Sequence, residues 1–227
     1  MLEKRLTLFA GHYGSGKTNI AVNFALTLAR SGKNVCIADL DIVNPYFRTA
    51  DSAQELAEAG VTLISPKFAN SNVDLPALPA EAYRLVTDKT ADGIMDIGGD
   101  DRGAYALGRY VPAILEENNY RMVYVANCCR PLTRTADDAL EVMREIEAAC
   151  GLRFTHIINN SNLGPETTTQ VVLDSLPFAR ELSRISGLPL WLHSIRQDLL
   201  PALQGSGLPL FPMQLQKKHF DLPADFR

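Results

Sequence analysis

The chain has 227 residues, 46% hydrophobic and 21% charged, with a formal net charge of −4. That composition supplies a sizeable core and excludes collagenous, low-complexity or disordered classes. The acidic balance, with no basic run longer than two residues such as Lys217-Lys218, argues against a broad nucleic-acid surface and makes DNA an unexpected partner.

The N-terminus, MLEKRLTLF, lacks a long apolar core and a small-residue cleavage site, so no secretory signal is expected. No apolar run approaches the roughly 18 residues of a membrane span. Cys36, Cys128, Cys129 and Cys150 form no C-x-x-C pair, which fits a reduced, cytoplasmic setting.

The first apolar run, LTLFA (residues 6–10), reads as a strand. GHYGSGKT follows at 11–18, and NIAVNFALTLAR then repeats its apolar residues at helical spacing. The pattern G-x-x-x-x-G-K-[ST] between a strand and a helix is a phosphate loop. There backbone N–H groups and the positive end of the helix converge on phosphate oxygens. Lys17 can reach the outer phosphates, and the Thr18 hydroxyl can bind magnesium.

The helix is expected over 17–31, with Gly32 ending it. NVCIADL (34–40) has the continuous apolar character of a buried parallel strand and carries Asp39 and Asp41 at its carboxyl end, where ligands of parallel sheets bind. Asn44-Pro45 forces a turn into Tyr46, Phe47 and Arg48. A helix over 50–59, a strand over 61–65, an irregular segment over 66–79 and a helix over 81–89 follow. GIMDIGGDD then gives a strand over 94–97, interrupted by Asp96 and opening into Gly98 and Gly99, the form of the second half of a magnesium-nucleotide site.

Beyond it the pattern predicts a helix over 104–117, a strand over 120–127, the loop CCRPLTR, a helix over 135–149 and a strand over 153–160. Residues 166–186 are helical in parts, with Pro177 a kink or break. PLWLHS is the last clear strand, followed by a helix near 197–204 and the apolar stretch LPLFPMQL. Strands and helices alternate without a repeat or linker. The expected fold is therefore one three-layer α/β/α domain over residues 1–227, with a mostly parallel sheet.

HYGSGKT, DLDIVNP, MDIGG and IINN, in that order, resemble the deviant-phosphate-loop ATPases of the MinD/ParA type and the CobQ/CobB nucleotide-binding group. The resemblance implies a parallel sheet of about seven or eight strands, ATP and Mg2+ as cofactors and, often, a nucleotide-bridged homodimer acting on a protein partner. It places Gly14, Ser15, Gly16, Lys17 and Thr18 on the phosphates, with Thr18 also on magnesium. Asp41 matches the acid that positions or activates the attacking water. Asp39 and Asp96 match acids near the metal and its waters. Gly99 matches the glycine whose N–H senses the γ-phosphate, and Asn159 or Asn160 the asparagine that reads adenine. The guanine-reading N-K-x-D motif is replaced by NNSNLG, which favours ATP over GTP.

One departure stands out. The family's signature lysine, which crosses a dimer to the partner's nucleotide, is replaced here by His12. Hydrolysis would then be slow, or would recruit another cation such as Arg48 or Lys67. The expectation is thus a Mg-ATP-dependent switch ATPase. Two alternatives are an ATP-dependent ligase activating a carboxylate and a metal-centre maturation ATPase using Cys128 and Cys129. His156 and His193, inside apolar runs, are expected to be satisfied core residues.

Overall fold

The computed structural model describes residues 4–40, 49–65, 80–99 and 101–216. Asp41, Tyr46, Phe47, Arg48 and Lys67 therefore lie outside the described residues, as does the segment expected to be irregular over 66–79.

The strands are β1 (Leu6–Ala10), β2 (Val35–Leu40), β3 (Thr62–Ile64), β4 (Asp92–Ile97), β5 (Tyr120–Ala126), β6 (His156–Asn159), β7 (Leu190–Arg196) and β8 (Leu210–Met213). They form one sheet in the order β3-β2-β4-β1-β5-β6-β7-β8, and every neighbouring pair is parallel. All five residues of β1 are buried, as a strand covered on both faces requires.

The helices are α1 (Lys17–Arg30), α2 (Ala53–Glu58), α3 (Arg84–Thr87), α4 (Asp101–Gly108), α5 (Val111–Glu117), α6 (Ala136–Cys150), α7 (Thr169–Asp174), α8 (Leu176–Ser186) and α9 (Leu200–Leu203). Alternation along the strands sorts the core into two layers. Leu6, Leu8, Met95 and Ile97 pack with α4, α5, α6 and α8. Phe9, Val35, Ile37 and Ile94 pack with α1 and α2 on the opposite face. Side chains two apart in a strand share a face. Asp39 and Asp96 therefore lie on the α1 side, with Ile37 and Ile94.

Two departures from the sequence pattern have local causes. The helix expected over 104–117 is two helices, because Gly108 ends the first and Pro112 sits in the first turn of the second, where a missing N–H costs nothing. The break expected at Pro177 is present: α7 ends at Asp174, and Pro177 sits in the first turn of α8. LPLFPMQL contains an eighth strand; β8 is the sheet edge, where Pro212 leaves no inner ladder incomplete. No helix among the described residues is long and apolar enough to cross a membrane.

Candidate functional site

β1 delivers the chain into the phosphate loop at the C-terminal edge of the sheet. Gly11, Gly14 and Gly16 take φ of 157°, 74° and 91°. The last two lie in the left-handed region that glycine adopts without strain. A Cβ on Gly11 would lie 2.6 Å from Val125 O, so β5 approaches the loop too closely for a side chain there. Ser15 N donates to His12 O at 3.1 Å, and Lys17 Nζ donates to the same carbonyl at 3.2 Å. Gly16 precedes α1 without a side-chain cap, so the first N–H groups of a 14-residue helix are open to an anion.

Three buried oxygen-bearing side chains lie on the elements that surround the loop. Thr18, in the first turn of α1, is buried, and Asp39 and Asp96 are each 1% exposed. The β2–β4 register sets Asp39 directly beside Asp96. Two carboxylates held side by side under α1 repel one another unless a cation or donor intervenes. Hard oxygen donors of this kind suit Mg2+, which takes one or two carboxylates and keeps several waters. Thr49, fully buried, donates its hydroxyl to Asp96 Oδ2 at 3.1 Å. That bond ties the chain entering α2 to the end of β4.

Gly99, just past β4, touches the phosphate loop. A Cβ there would lie 2.7 Å from Tyr13 N and 2.8 Å from Lys17 Nζ. Tyr13 itself projects into solvent, 52% exposed. His12, half-buried, donates Nδ1–H to Tyr13 O at 2.8 Å.

The two asparagines after β6 point to different places. Asn159 spends its amide on Ser175 Oγ (2.8 Å) and His193 Nδ1 (3.2 Å), and its Oδ1 accepts from Ser161. Asn160 reaches the phosphate loop, where Nδ2 donates to Ser15 O at 2.6 Å and Oδ1 accepts from the Ser194 hydroxyl. Asn160, Asn162, Gly164, Thr167, Ser194 and Arg196 line a narrow cleft with Met213 and Leu215. Among the described residues the carboxylate bonded to a cleft residue is Asp198, which is taken by Arg196 at 2.8 Å.

His193 and His156 are held neutral by burial, with Arg180 and Arg121 respectively adding to the downward push on their pKa. Cys128 and Cys129 are half-buried, and burial first, then its neighbour Cys128, raises the Cys129 thiol. Sequence reasoning missed Thr49, Ser194 and Arg130. Arg130, in the loop after β5, donates Nε to Gly14 O at 2.8 Å. The strand-end rule applied to CCRPLTR would have flagged that loop, because β5 is the direct neighbour of β1.

A parallel sheet with a glycine-shaped phosphate loop on its central strand defines a P-loop nucleotide-binding domain. Residues 6–178 match the model of the CobQ/CobB/MinD/ParA nucleotide binding domain, and the chain belongs to that family. In fold it is similar to the cell division protein FtsY from Thermotoga maritima (17% identity, TM-score 0.56, covering 84% of this chain and 61% of that one). It is also similar to FtsY from Mycoplasma mycoides (16%, TM-score 0.54, 85% and 61%). A third similar structure is the signal recognition particle 54 kDa protein from Aeropyrum pernix, solved with GDP (16%, TM-score 0.50, 83% and 40%). The chain thus spans about three fifths or less of these structures. No curated protein matches the chain in sequence.

Proposed function

We propose that the chain is a slow Mg-ATP-dependent ATPase that acts as a nucleotide-controlled switch on a protein partner. The observation that supports this reading is the phosphate loop itself, with Gly99 against Tyr13 and Lys17 and with Asp39 and Asp96 paired on neighbouring strands. In this reading Gly14, Ser15 and Gly16 present backbone N–H groups to the phosphates, and Lys17 leaves His12 O to meet the outer ones. Thr18, Asp39 and Asp96 hold Mg2+ directly or through water; bound Mg2+ supplies charge neutralisation on the phosphates. Asp41 positions the attacking water. Because in-line transfer needs positioning and electrostatics more than covalent chemistry, the site requires no nucleophilic side chain.

The switch follows from two contacts. Thr49 on Asp96 and Gly99 on Tyr13 join the segments after β2 and β4 to the site. Loss of a γ-phosphate would release the Gly99 side and change affinity for the partner, with a nucleotide-bridged homodimer as the expected assembly. With His12 where relatives keep a lysine, hydrolysis without a partner should be slow.

ATP is preferred over GTP in this proposal. A guanine reader needs a carboxylate for the N1 and N2 protons, and the cleft beside Asn160 and Asn162 presents amides and hydroxyls instead, with Asp198 occupied by Arg196. Asn160 is the base-side asparagine because it borders the loop, whereas Asn159 faces Ser175 and His193.

Calorimetric titration of the wild-type chain and Lys17→Ala with ATP, ADP and GTP, with and without Mg2+, tests the proposal. Mg-dependent ATP binding lost in Lys17→Ala, with phosphate release in the wild type, is expected. Equal behaviour of the two proteins, or a preference for GTP, would sink it.

A further inference from the structure

We propose that Arg130 is a phosphate-contacting residue of this site, a guanidinium supplied by the chain itself and already parked over the phosphate loop. The inference rests on the nucleotide-binding reading above and adds a residue that neither the loop motif nor the acidic pair includes.

The backbone under Arg130 is fixed. Its N–H donates to Asn127 O at 3.3 Å and its carbonyl accepts from Thr133 N at 3.2 Å. Asn127 is fully buried, and Thr133 Oγ1 donates to its carbonyl at 2.7 Å. Cys129 N donates to Asn127 Oδ1 at 3.0 Å, and Pro131 opens a 3-10 turn directly after the arginine. A loop tied this way delivers its side chain with little ordering left to do on ligand binding.

The side chain lies flat against Gly14. A Cβ on that glycine would meet Arg130 Nε at 3.6 Å and Cδ at 3.8 Å, ordinary van der Waals distances. Among the described residues only Nε is spent, on Gly14 O. An arginine carries five N–H donors in a rigid fork, so four remain on the two terminal nitrogens. Among the described residues no carboxylate pairs with it. A cation anchored by a neutral carbonyl at the rim of an anion-binding loop is one half of a charge pair. The other half is the polyphosphate of the nucleotide, whose oxygens match the fork geometry.

The bond to Gly14 O could also serve only to brace the loop, and one substitution separates the two roles. In Arg130→Gln the amide nitrogen occupies the same position along the side chain as Nε. The variant keeps the N–H to Gly14 O and loses the charge and the terminal donors. Titration of wild type, Arg130→Gln, Arg130→Lys and Lys17→Ala with ADP and a non-hydrolysable ATP analogue in Mg2+, alongside thermal melting, gives the test. A charge-assisted phosphate contact predicts about 10- to 100-fold weaker binding of both nucleotides by Arg130→Gln at an unchanged melting temperature. Arg130→Lys, which keeps the charge, should recover most of that loss. Wild-type affinity in Arg130→Gln, with binding lost in Lys17→Ala, overturns the inference and leaves the nucleotide site standing. Equal losses in the Gln and Lys variants overturn it too, because charge would then not matter. A wild-type chain that binds neither nucleotide overturns both.

Discussion

Gly99→Ala asks whether the strand-end glycine and the phosphate loop work as one unit. A methyl group at Gly99 would lie 2.7 Å from Tyr13 N, 2.9 Å from Tyr13 Cα and 2.8 Å from Lys17 Nζ. Carbon contacts relax at about 3.5–4.0 Å, so roughly 1 Å must be opened somewhere. The Lys17 ammonium ends a flexible side chain and moves cheaply. Tyr13 is backbone inside a loop pinned by the Ser15-to-His12 bond, and it does not. The cost therefore falls on loop geometry, at about 1–3 kcal/mol by analogy with overpacked cores. That is roughly 5- to 150-fold in affinity for a non-hydrolysable ATP analogue. Gly205→Ala is the control, since a Cβ there meets no atom of the described residues within 4 Å; it should change stability by no more than about 0.5 kcal/mol. The assay is calorimetric titration with a phosphate-release measurement on the same samples. Affinity and turnover within twofold of wild type for Gly99→Ala would refute the claim that Gly99 sits against the loop.

Thr49→Val removes the hydroxyl that bonds Asp96 and keeps the shape, and should cost about 1–3 kcal/mol in urea unfolding of the nucleotide-free chain; no change would mean the bond does not tie α2 to β4. His193 concerns pH. Burial and then Arg180 lower its pKa, so the native state resists a proton that the unfolded chain accepts near pH 6.5. Stability is thus complete above that pH and falls on acidification. His193→Gln should flatten the fall between pH 7.5 and 5.5 in urea midpoints, leaving the part due to His156, which burial shifts the same way; an unchanged slope would contradict this. Tyr124→Phe removes a fully buried hydroxyl that has no hydrogen-bond partner among the described residues, so it should be neutral or stabilising by about 1 kcal/mol. A loss above about 1 kcal/mol would show that the hydroxyl is satisfied in solution.

The phosphate loop was legible because its chemistry is local: glycines where a side chain would collide, then Lys17 and Thr18 on the next helical turn. Asp39 and Asp96 were legible by their place at strand ends, and the alternation of strands and helices gave the layers and the parallel sheet. What one sequence could not supply were the contacts between distant segments. Asn159 and Asn160 are chemically identical neighbours, and only packing against Ser175 or Ser15 separates them. Arg130 lies 116 residues from Gly14, and Thr49 lies 47 from Asp96. β8 is four residues long and contains a proline, so its pattern was too short and too irregular to stand out.

The chain that leaves β8 does more than end the sheet. Gln214 exchanges hydrogen bonds with the amide of Asn23 (2.8 and 2.9 Å), and Gln216 N donates to Asn19 at 3.0 Å. The Gln216 amide then reaches Ser52 Oγ at the start of α2 (2.8 Å). A strap therefore runs from the β8 edge across α1 to the far half of the molecule. It fastens both halves of the sheet to the helix that carries the phosphate loop. A frame clasped in this way resists splaying apart like a hinged shell. Any opening that separated β8 from α1 or α2 would have to break these four hydrogen bonds together.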